Sequence, residues 1–262
     1  MSSVSDLVHL ESRNAVAFLT MNRPEARNAL SLELIAALRI MLNDLSTDPE
    51  LKVVVLAGSG DRAFSAGADL NERLTFNPAQ RTAHTATIDG LCAAIESFPT
   101  PVIAAIHGHA LAGGAEIAVA CDLRVMDEAG SIGFPEVSIG VFPGAGGVIR
   151  LPRIIGAGRA RDLLMTGRTV GAGEALTIGL IDRIVPRELV MQTAVALAEE
   201  IASRAPLAVR ALKSALVGTA GLPIDDARSI VSRLREPLDG SRDYAEGLRA
   251  FAERRTPNFT GE

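Results

Sequence analysis

The chain has 262 residues, of which 48% are hydrophobic and 22% charged, with a formal net charge of −5. That composition can fill one large core, and the acidic balance gives no electrostatic drive towards nucleic acid or anionic lipid. Cys92 and Cys121 stand in apolar surroundings and are expected as buried free thiols of a reducing compartment. The start, "MSSVSDLVHL", lacks the basic and apolar regions of a secretory signal and the arginines of a transit peptide. No apolar run approaches the roughly 20 residues that span a bilayer. The expectation is a cytoplasmic, soluble protein.

Residues 6–22 alternate around "SRN" and predict a β-hairpin. Residues 31–49 predict a helix, with Ser31 as cap and Leu34, Leu38, Met41, Leu42 and Leu45 as its apolar stripe. "KVVVLAG" (52–58) predicts a buried strand, and a turn-rich loop runs to about residue 71. Residues 79–98 predict a helix stopped by "FPTP". "VIAAIHG" (102–108) predicts a second buried strand, "ALAGGAEIAVACD" (110–122) a helix, and "LRVMD" (123–127) a third strand. Short apolar strands alternating with helices indicate an α/β protein with parallel pairing. From about residue 187 the pattern changes to helices over 187–204, 206–218, 223–235 and 240–255. Their apolar faces need a partner, such as another subunit. "VVVLAGSGDRAFSAGAD" and "VIAAIHGHALAGGAE" echo each other as strand, glycine turn, small residues and acid. Parallel strands would bring both small-residue loops to one edge of the sheet, where ligands bind.

Several motifs are excluded. "GSGDRA" (58–63) fits the loose dinucleotide pattern but opens no helix and lacks the later ribose-binding acid. "PGAGG" (143–147) lacks the Lys-Ser/Thr of a phosphate loop. His107 and His109 have no third ligand at metal-like spacing, so no metal is expected. Ser65 lacks the flanking glycine of a nucleophile elbow.

The glutamates are more informative. Gly113 and Gly114 are read as the start of the helix that holds Glu116. Free N–H groups at a helix start suit an anion or a developing oxyanion. A carboxylate there could simply complement the helix dipole, but its apolar flanks argue against a solvated helix start. Glu136 follows in the loop-like "SIGFPEVSIGVFPGAGG". Two carboxylates in dry surroundings beside oriented donors suit acid–base chemistry next to a carbonyl.

These segments together resemble the enoyl-CoA hydratase/isomerase (crotonase) family. The resemblance rests on "NRPEARNALS" (22–31), "FSAGADL" (64–70), "HGHALAGGAEIAVACDLRV" (107–125) and "GFPEVSIGVFPGAGG" (133–147). "LTIGLIDRIVP" (176–186) and "FAERRTPNF" (251–259) carry it to the C-terminus. It implies a spiral of ββα units over residues 1–195 and a helical trimerisation region over 196–262, with trimers often paired into hexamers. It implies that the N–H groups of Ala68 and Gly113 hold a thioester oxygen, and that Glu116 and Glu136 are the catalytic pair. Arg27, Ala29, Ala66, Asp69, Leu70, Pro135 and Gly144 would line the path of coenzyme A and its acyl group. Coenzyme A would arrive as part of the substrate, with no separate cofactor.

The reaction implied is addition of water across the 2,3 double bond of a trans-2-enoyl-CoA, a lyase activity of fatty acid and lipid metabolism. The alternatives are an enoyl-CoA isomerase or a branched-chain hydratase of the methylglutaconyl-CoA type. Having both glutamates favours hydration. A non-catalytic RNA binder is the alternative of another class, and the acidic net charge argues against it. Asn71 stands where a lysine often assists coenzyme A binding. Its phosphates would then need Arg27, or Arg254 of a neighbouring subunit. His109 also stands where another residue is usual, and the helix at 79–98 is expected over the acyl end.

Overall fold

The computed structural model describes residues 4–262; residues 1–3, where the segment inspected for a leader begins, lie outside them. In chain order the first elements are α1 (Val4–Leu7), β1 (Val8–Arg13), β2 (Val16–Met21), α2 (Leu32–Ser46), β3 (Val53–Gly58) and β4 (Ala63–Ser65). Next come α3 (Leu70–Leu74), α4 (Pro78–Glu96), β5 (Val102–Ile106), β6 (His109–Leu111), α5 (Gly113–Ala120), β7 (Leu123–Asp127) and β8 (Ser131–Gly133). A 3-10 turn at Pro135–Ile139 leads to α6 (Gly147–Ile155), α7 (Ala157–Thr166), β9 (Thr169–Gly171), α8 (Ala172–Thr177) and β10 (Arg183–Val185). The chain ends in α9 (Val190–Ala202), α10 (Pro206–Gly218), α11 (Ile224–Arg235) and α12 (Arg242–Glu253).

The strands form two sheets, ordered β1-β2-β3-β5-β7-β10 and β4-β6-β8-β9. Among the described residues, only the β1–β2 and β8–β9 strand pairs are antiparallel. The pairs β3/β4, β5/β6 and β7/β8 each place one strand in each sheet, so the chain climbs both sheets in step. This is the α/β spiral of ββα units that the resemblance implied.

The apolar strands are buried on both faces, as expected of parallel strands covered on two sides. Val53, Val55 and Ala57 of β3, with Ile103 and Ala105 of β5, pack with Val190, Ala194, Leu197 and Ala198 of α9. The alternate residues Val54, Leu56, Ala104 and Ile106 face the main core, with Leu34 and Leu38 of α2, Ile88 and Leu91 of α4, and Ile117 of α5. The two-residue period of a strand sorts each run between the two cores.

The hairpin turns at Asn14 and Ala15, both at positive φ, which matches strand twist. Ser31 caps α2, its side chain accepting from Leu34 N at 3.2 Å. Leu34, Leu38, Leu42 and Leu45 are buried as expected, while Met41 is only half-buried.

The element boundaries change in two places. The stretch read as loop to residue 71 contains β4 and the start of α3. Three-residue strands are too short to show a period, which also hid β6 inside the helix expected over 110–122. The boundary at 195/196 falls inside α9, which is one continuous helix packed on β2, β3, β5 and β7.

A buried cation ties α10 down. Lys213 of α10 is 5% exposed and donates to Asp122 Oδ2 at 2.7 Å, Thr100 O at 3.1 Å and Ile95 O at 3.2 Å. Breaking a buried pair by removing one partner typically costs 3–5 kcal/mol. Asp122 keeps the N–H of Val102 and some solvent. Lys213→Met is therefore expected to cost about 3 kcal/mol, the lower end of that range. The measurement is a lower urea midpoint at unchanged m-value.

Candidate active site

The four residues expected to do chemistry meet at one cavity of about 710 Å³. Ala68 follows β4, and Gly113 opens α5 after β6. The parallel pairing of β4 with β6 sets their loops side by side. Leu30 pairs with Ala68 in an isolated bridge, which fixes that loop: Leu30 N donates to Gly67 O, and Asp69 N donates to Leu30 O. Ser65 steadies it too, donating Oγ–H to Asn28 O at 2.8 Å and accepting from Gly67 N at 3.2 Å. The N–H groups of Ala68 and Gly113 have no acceptor among the described residues. A Cβ added to Gly113 would lie 3.5 Å from Ala68 N, so the two donors are neighbours.

Ala112 turns the chain into α5 with φ 50° and ψ −126°. Such a conformation in an L-residue costs of order 1–3 kcal/mol and clusters at functional sites. Hydrogen bonds from Ala112 N to Gly133 O and from Glu116 N to Ala112 O, both 2.9 Å, hold it. The strained turn leaves Gly113 N–H at the helix start, where the dipole favours negative charge.

Glu116 is 3% exposed. Its Oε1 accepts from Ala145 N at 2.7 Å and Gly147 N at 2.9 Å. Burial is the larger effect and raises its pKa, with these two N–H groups and Arg150 opposing it. The glycine-rich segment at 143–147 thus serves the glutamate: a Cβ on Gly147 would stand 3.0 Å from Oε1. No described residue donates to Oε2.

Glu136 sits on the 3-10 turn at Pro135–Ile139, and its Oε2 is buried without a hydrogen-bond partner. Burial, with the charge of Glu116, pushes its pKa up to about 7, against the pull of its own backbone N–H and Arg73. Burial raises the pKa of both glutamates, and at Glu116 two backbone donors oppose it.

Ala66, Leu70, Pro135 and Gly144 also line the cavity. The helix expected over the acyl end does so as α4, through Thr82, Thr85, Ala86, Ile88 and Asp89. Three expected binding residues are elsewhere. Asp69 caps α3, accepting from Asn71 N and Glu72 N, and pairs with Arg23 at 3.0 Å. Ala29 is buried, its carbonyl accepting from Arg23 Nη1 at 2.6 Å. Arg27 lines a second cavity with Arg62, His109 and Arg187. Sequence reasoning missed Arg73, which lines the first cavity from α3. It lies four residues beyond "GAD" on a five-residue helix, too short for periodicity to reveal which way it points.

The spiral presents two N–H groups without acceptors and a carboxyl pair to one cavity, an arrangement suited to acid–base chemistry beside a carbonyl. The family's sequence profile, enoyl-CoA hydratase/isomerase, matches residues 11–262. The short-chain-enoyl-CoA hydratase of Clostridium acetobutylicum is 36% identical over 248 residues, 95% of each chain. The crotonyl-CoA hydratase of Syntrophomonas wolfei is 36% identical over 250 residues, 95% of this chain and 96% of that one. The crystal structure of an enoyl-CoA hydratase from Bacillus anthracis superposes with a TM-score of 0.96 at 39% identity, covering 98% of this chain and all of that one. The chain belongs to the enoyl-CoA hydratase/isomerase family, whose enzymes act on acyl-CoA thioesters. No helix of the described residues is long and apolar enough to cross a membrane.

Proposed function

We propose that the protein is an enoyl-CoA hydratase. The observation that carries this reading is the convergence of Ala68 N–H, Gly113 N–H, Glu116 and Glu136 on one cavity. The thioester oxygen accepts from the two N–H groups, and a water rests between the glutamates. Glu116 takes one proton of that water as its oxygen bonds to C3. The 2,3 electron pair moves towards the thioester oxygen, where the two donors stabilise the developing charge. Glu136 then gives its proton to C2 as the electron pair returns. Proton exchange through solvent resets the pair. Coenzyme A enters as part of the substrate, and the step requires no further group.

Turnover of crotonyl-CoA, followed as loss of its conjugated absorbance, tests the reading. Product analysis separates hydration from isomerisation, since only hydration yields a 3-hydroxyacyl thioester. A 3-enoyl thioester converted without any hydroxy product would overturn it.

The reading includes self-assembly. Leu212 and Leu216 of α10, Ile224 and Val231 of α11, and Leu248 and Phe251 of α12 are exposed large apolar side chains. Surface on that scale marks a contact site, and a trimer or a pair of trimers would cover it. Light scattering on the purified chain is expected to give three or six times the 27.4 kDa chain mass. A monomer at micromolar concentration would contradict this.

A further inference from the structure

The loop that serves Glu116 is itself held from behind. Both N–H groups that reach the glutamate, from Ala145 at 2.7 Å and Gly147 at 2.9 Å, go to the same oxygen, Oε1. That leaves Oε2 for the water of the proposed reaction. The carbonyl side of the loop faces Arg150, whose Nη1 donates to Ala145 O at 3.0 Å. Its Nη2 donates to Glu96 Oε2, at the end of α4, at 2.7 Å. Gly146 turns between them at φ 91°, and an added Cβ would collide with Arg150 Nη1. The guanidinium therefore crosses the space that a side chain at 146 would need.

Helix stability does not account for this arginine. It is the fourth residue of α6, in the first turn, where the helix dipole disfavours a cation. It is 8% exposed, and replacing such a buried ion pair by apolar residues is often neutral for stability. Arg150 does not line the cavity, so it does not touch substrate. What it touches is the loop that touches Glu116.

We infer that Arg150, paired with Glu96, is a positioning residue for the water-activating glutamate: it pins the Ala145 carbonyl so that the loop's N–H groups stay on Glu116 Oε1 and Oε2 stays open. This rests on the hydratase reading for what Glu116 does. The charge of Arg150 works in the same direction as its hydrogen bonds. A nearby opposite charge favours a carboxylate, and Arg150 opposes the effect of burial at Glu116. The other groups that face Glu116 are Asp89 and Cys92 of α4, Arg73 of α3 and Glu136 of the 3-10 turn. Asp89 and Glu136 disfavour a second carboxylate, Arg73 favours it, and burial pushes the Cys92 thiol well up, which keeps it neutral. Glu136 answers to burial, its own backbone N–H, Glu116 and Arg73. A change at Arg150 therefore acts on the Glu116 side of the pair.

The test is the pH profile of crotonyl-CoA hydration by the full chain, whose acid limb reports the base form of Glu116. Arg150→Met is expected to lower kcat by about 10–100-fold through misplacement of the base. KM should change little, because Arg150 stands outside the cavity. The acid side of the profile should fall at least about threefold relative to its maximum, since Glu116 keeps its proton to higher pH. Arg150→Lys keeps the charge but not the planar fork, so it should recover the acid side and only part of kcat. Glu96→Gln should act with the opposite sign. It removes the anion that masks Arg150, and the acid side should rise relative to the maximum. A mere tie between α4 and α6 would scale the whole profile and move no limb. An acid limb unmoved by Arg150→Met, or moved the same way by both substitutions, would overturn the inference. If Arg150→Met does not fold, Glu96→Gln decides, and a limb unmoved or moved to higher pH would overturn it. Infrared difference spectra read the same titration without substrate. The carboxylic acid stretch that Glu116→Gln removes should persist to higher pH in Arg150→Met and vanish at lower pH in Glu96→Gln. A stretch that titrates alike in all three proteins would overturn the inference, whereas a chain that hydrates nothing yet shows both shifts would defeat the hydratase reading alone.

Discussion

Glu136→Gln is expected to lower kcat for hydration by about 10²–10⁴-fold, the usual contribution of a positioned acid or base. KM should move far less, because the amide keeps the shape of the cavity. Glu116→Gln should lose a similar factor through the opposite step: it can still accept from Ala145 N and Gly147 N but no longer takes a proton from water. Unchanged rates in both variants would remove the glutamate pair from the mechanism. The pH profile adds a sign. The pKa of Glu136 is pushed up to about 7 by burial and by Glu116, against Arg73. In the proposed mechanism its acid form is the proton donor, so wild-type kcat/KM should fall as pH rises through about 7. Stability follows the same titration. The folded pKa lies above the unfolded one, so this contribution is full below about 4.5 and is lost as pH rises through about 7. At about 1.4 kcal/mol per pKa unit the ceiling is roughly 3 kcal/mol, and solvent at the cavity mouth lowers it. Glu136→Gln should therefore raise Tm over the wild type at pH 8.5 and leave it unchanged at pH 4. Activity and stability oppose each other at this position, as expected where a site keeps a desolvated group for its chemistry.

What the sequence revealed, and what it hid, follows the length scale of each signal. The strands at 53–58 and 102–106 are apolar throughout because both faces are covered, and that run is visible without coordinates. Glu116 was conspicuous for a similar reason, as a lone charge in an apolar, glycine-opened helix. Glu136 needed only its dry neighbours to be noticed, but its pairing with Glu116 is a tertiary fact that the residues alone left open. The three-residue strands β4 and β6 carry no period, yet their parallel pairing sets Ala68 beside Gly113. Asp69 shows the opposite limit. The resemblance implied a place on the coenzyme A path, and nothing in the sequence showed that its carboxylate caps α3 and pairs with Arg23. Arg73 was hidden because its direction depends on His84 and Thr85, which come from another helix.

Gly114→Ala provides the sharpest test of how the fold sets the donors. By helix propensity alone the change should stabilise α5 by about 1 kcal/mol, since alanine loses less backbone entropy than glycine. The surroundings reverse that sign. A Cβ at Gly114 would overlap the carbonyl oxygen of Ser65 and come within 2.8 Å of Ser65 Cβ. The first is backbone of β4, which cannot swing away as a side chain tip could. Ser65 is fully buried and bonded to Asn28 O and Gly67 N. Relief therefore requires α5 and β4 to separate, and each carries one donor: Gly113 on the helix, Ala68 three residues beyond Ser65. Forcing extra atoms into a packed core typically costs 1–3 kcal/mol, which exceeds the propensity gain. The rate should suffer more than the stability. Loss of one oxyanion donor costs about 10²–10³ in kcat, and a shift of the helix start misaligns both. The expected result is a folded protein with a Tm lowered by a few degrees and kcat reduced by at least about 10². Gly158→Ala is the control: that glycine also lies in a helix, and an added Cβ meets nothing within 4 Å. It should gain the propensity term and keep full activity. Equal behaviour of the two variants would show that close packing of α5 on β4 does not set the donor geometry.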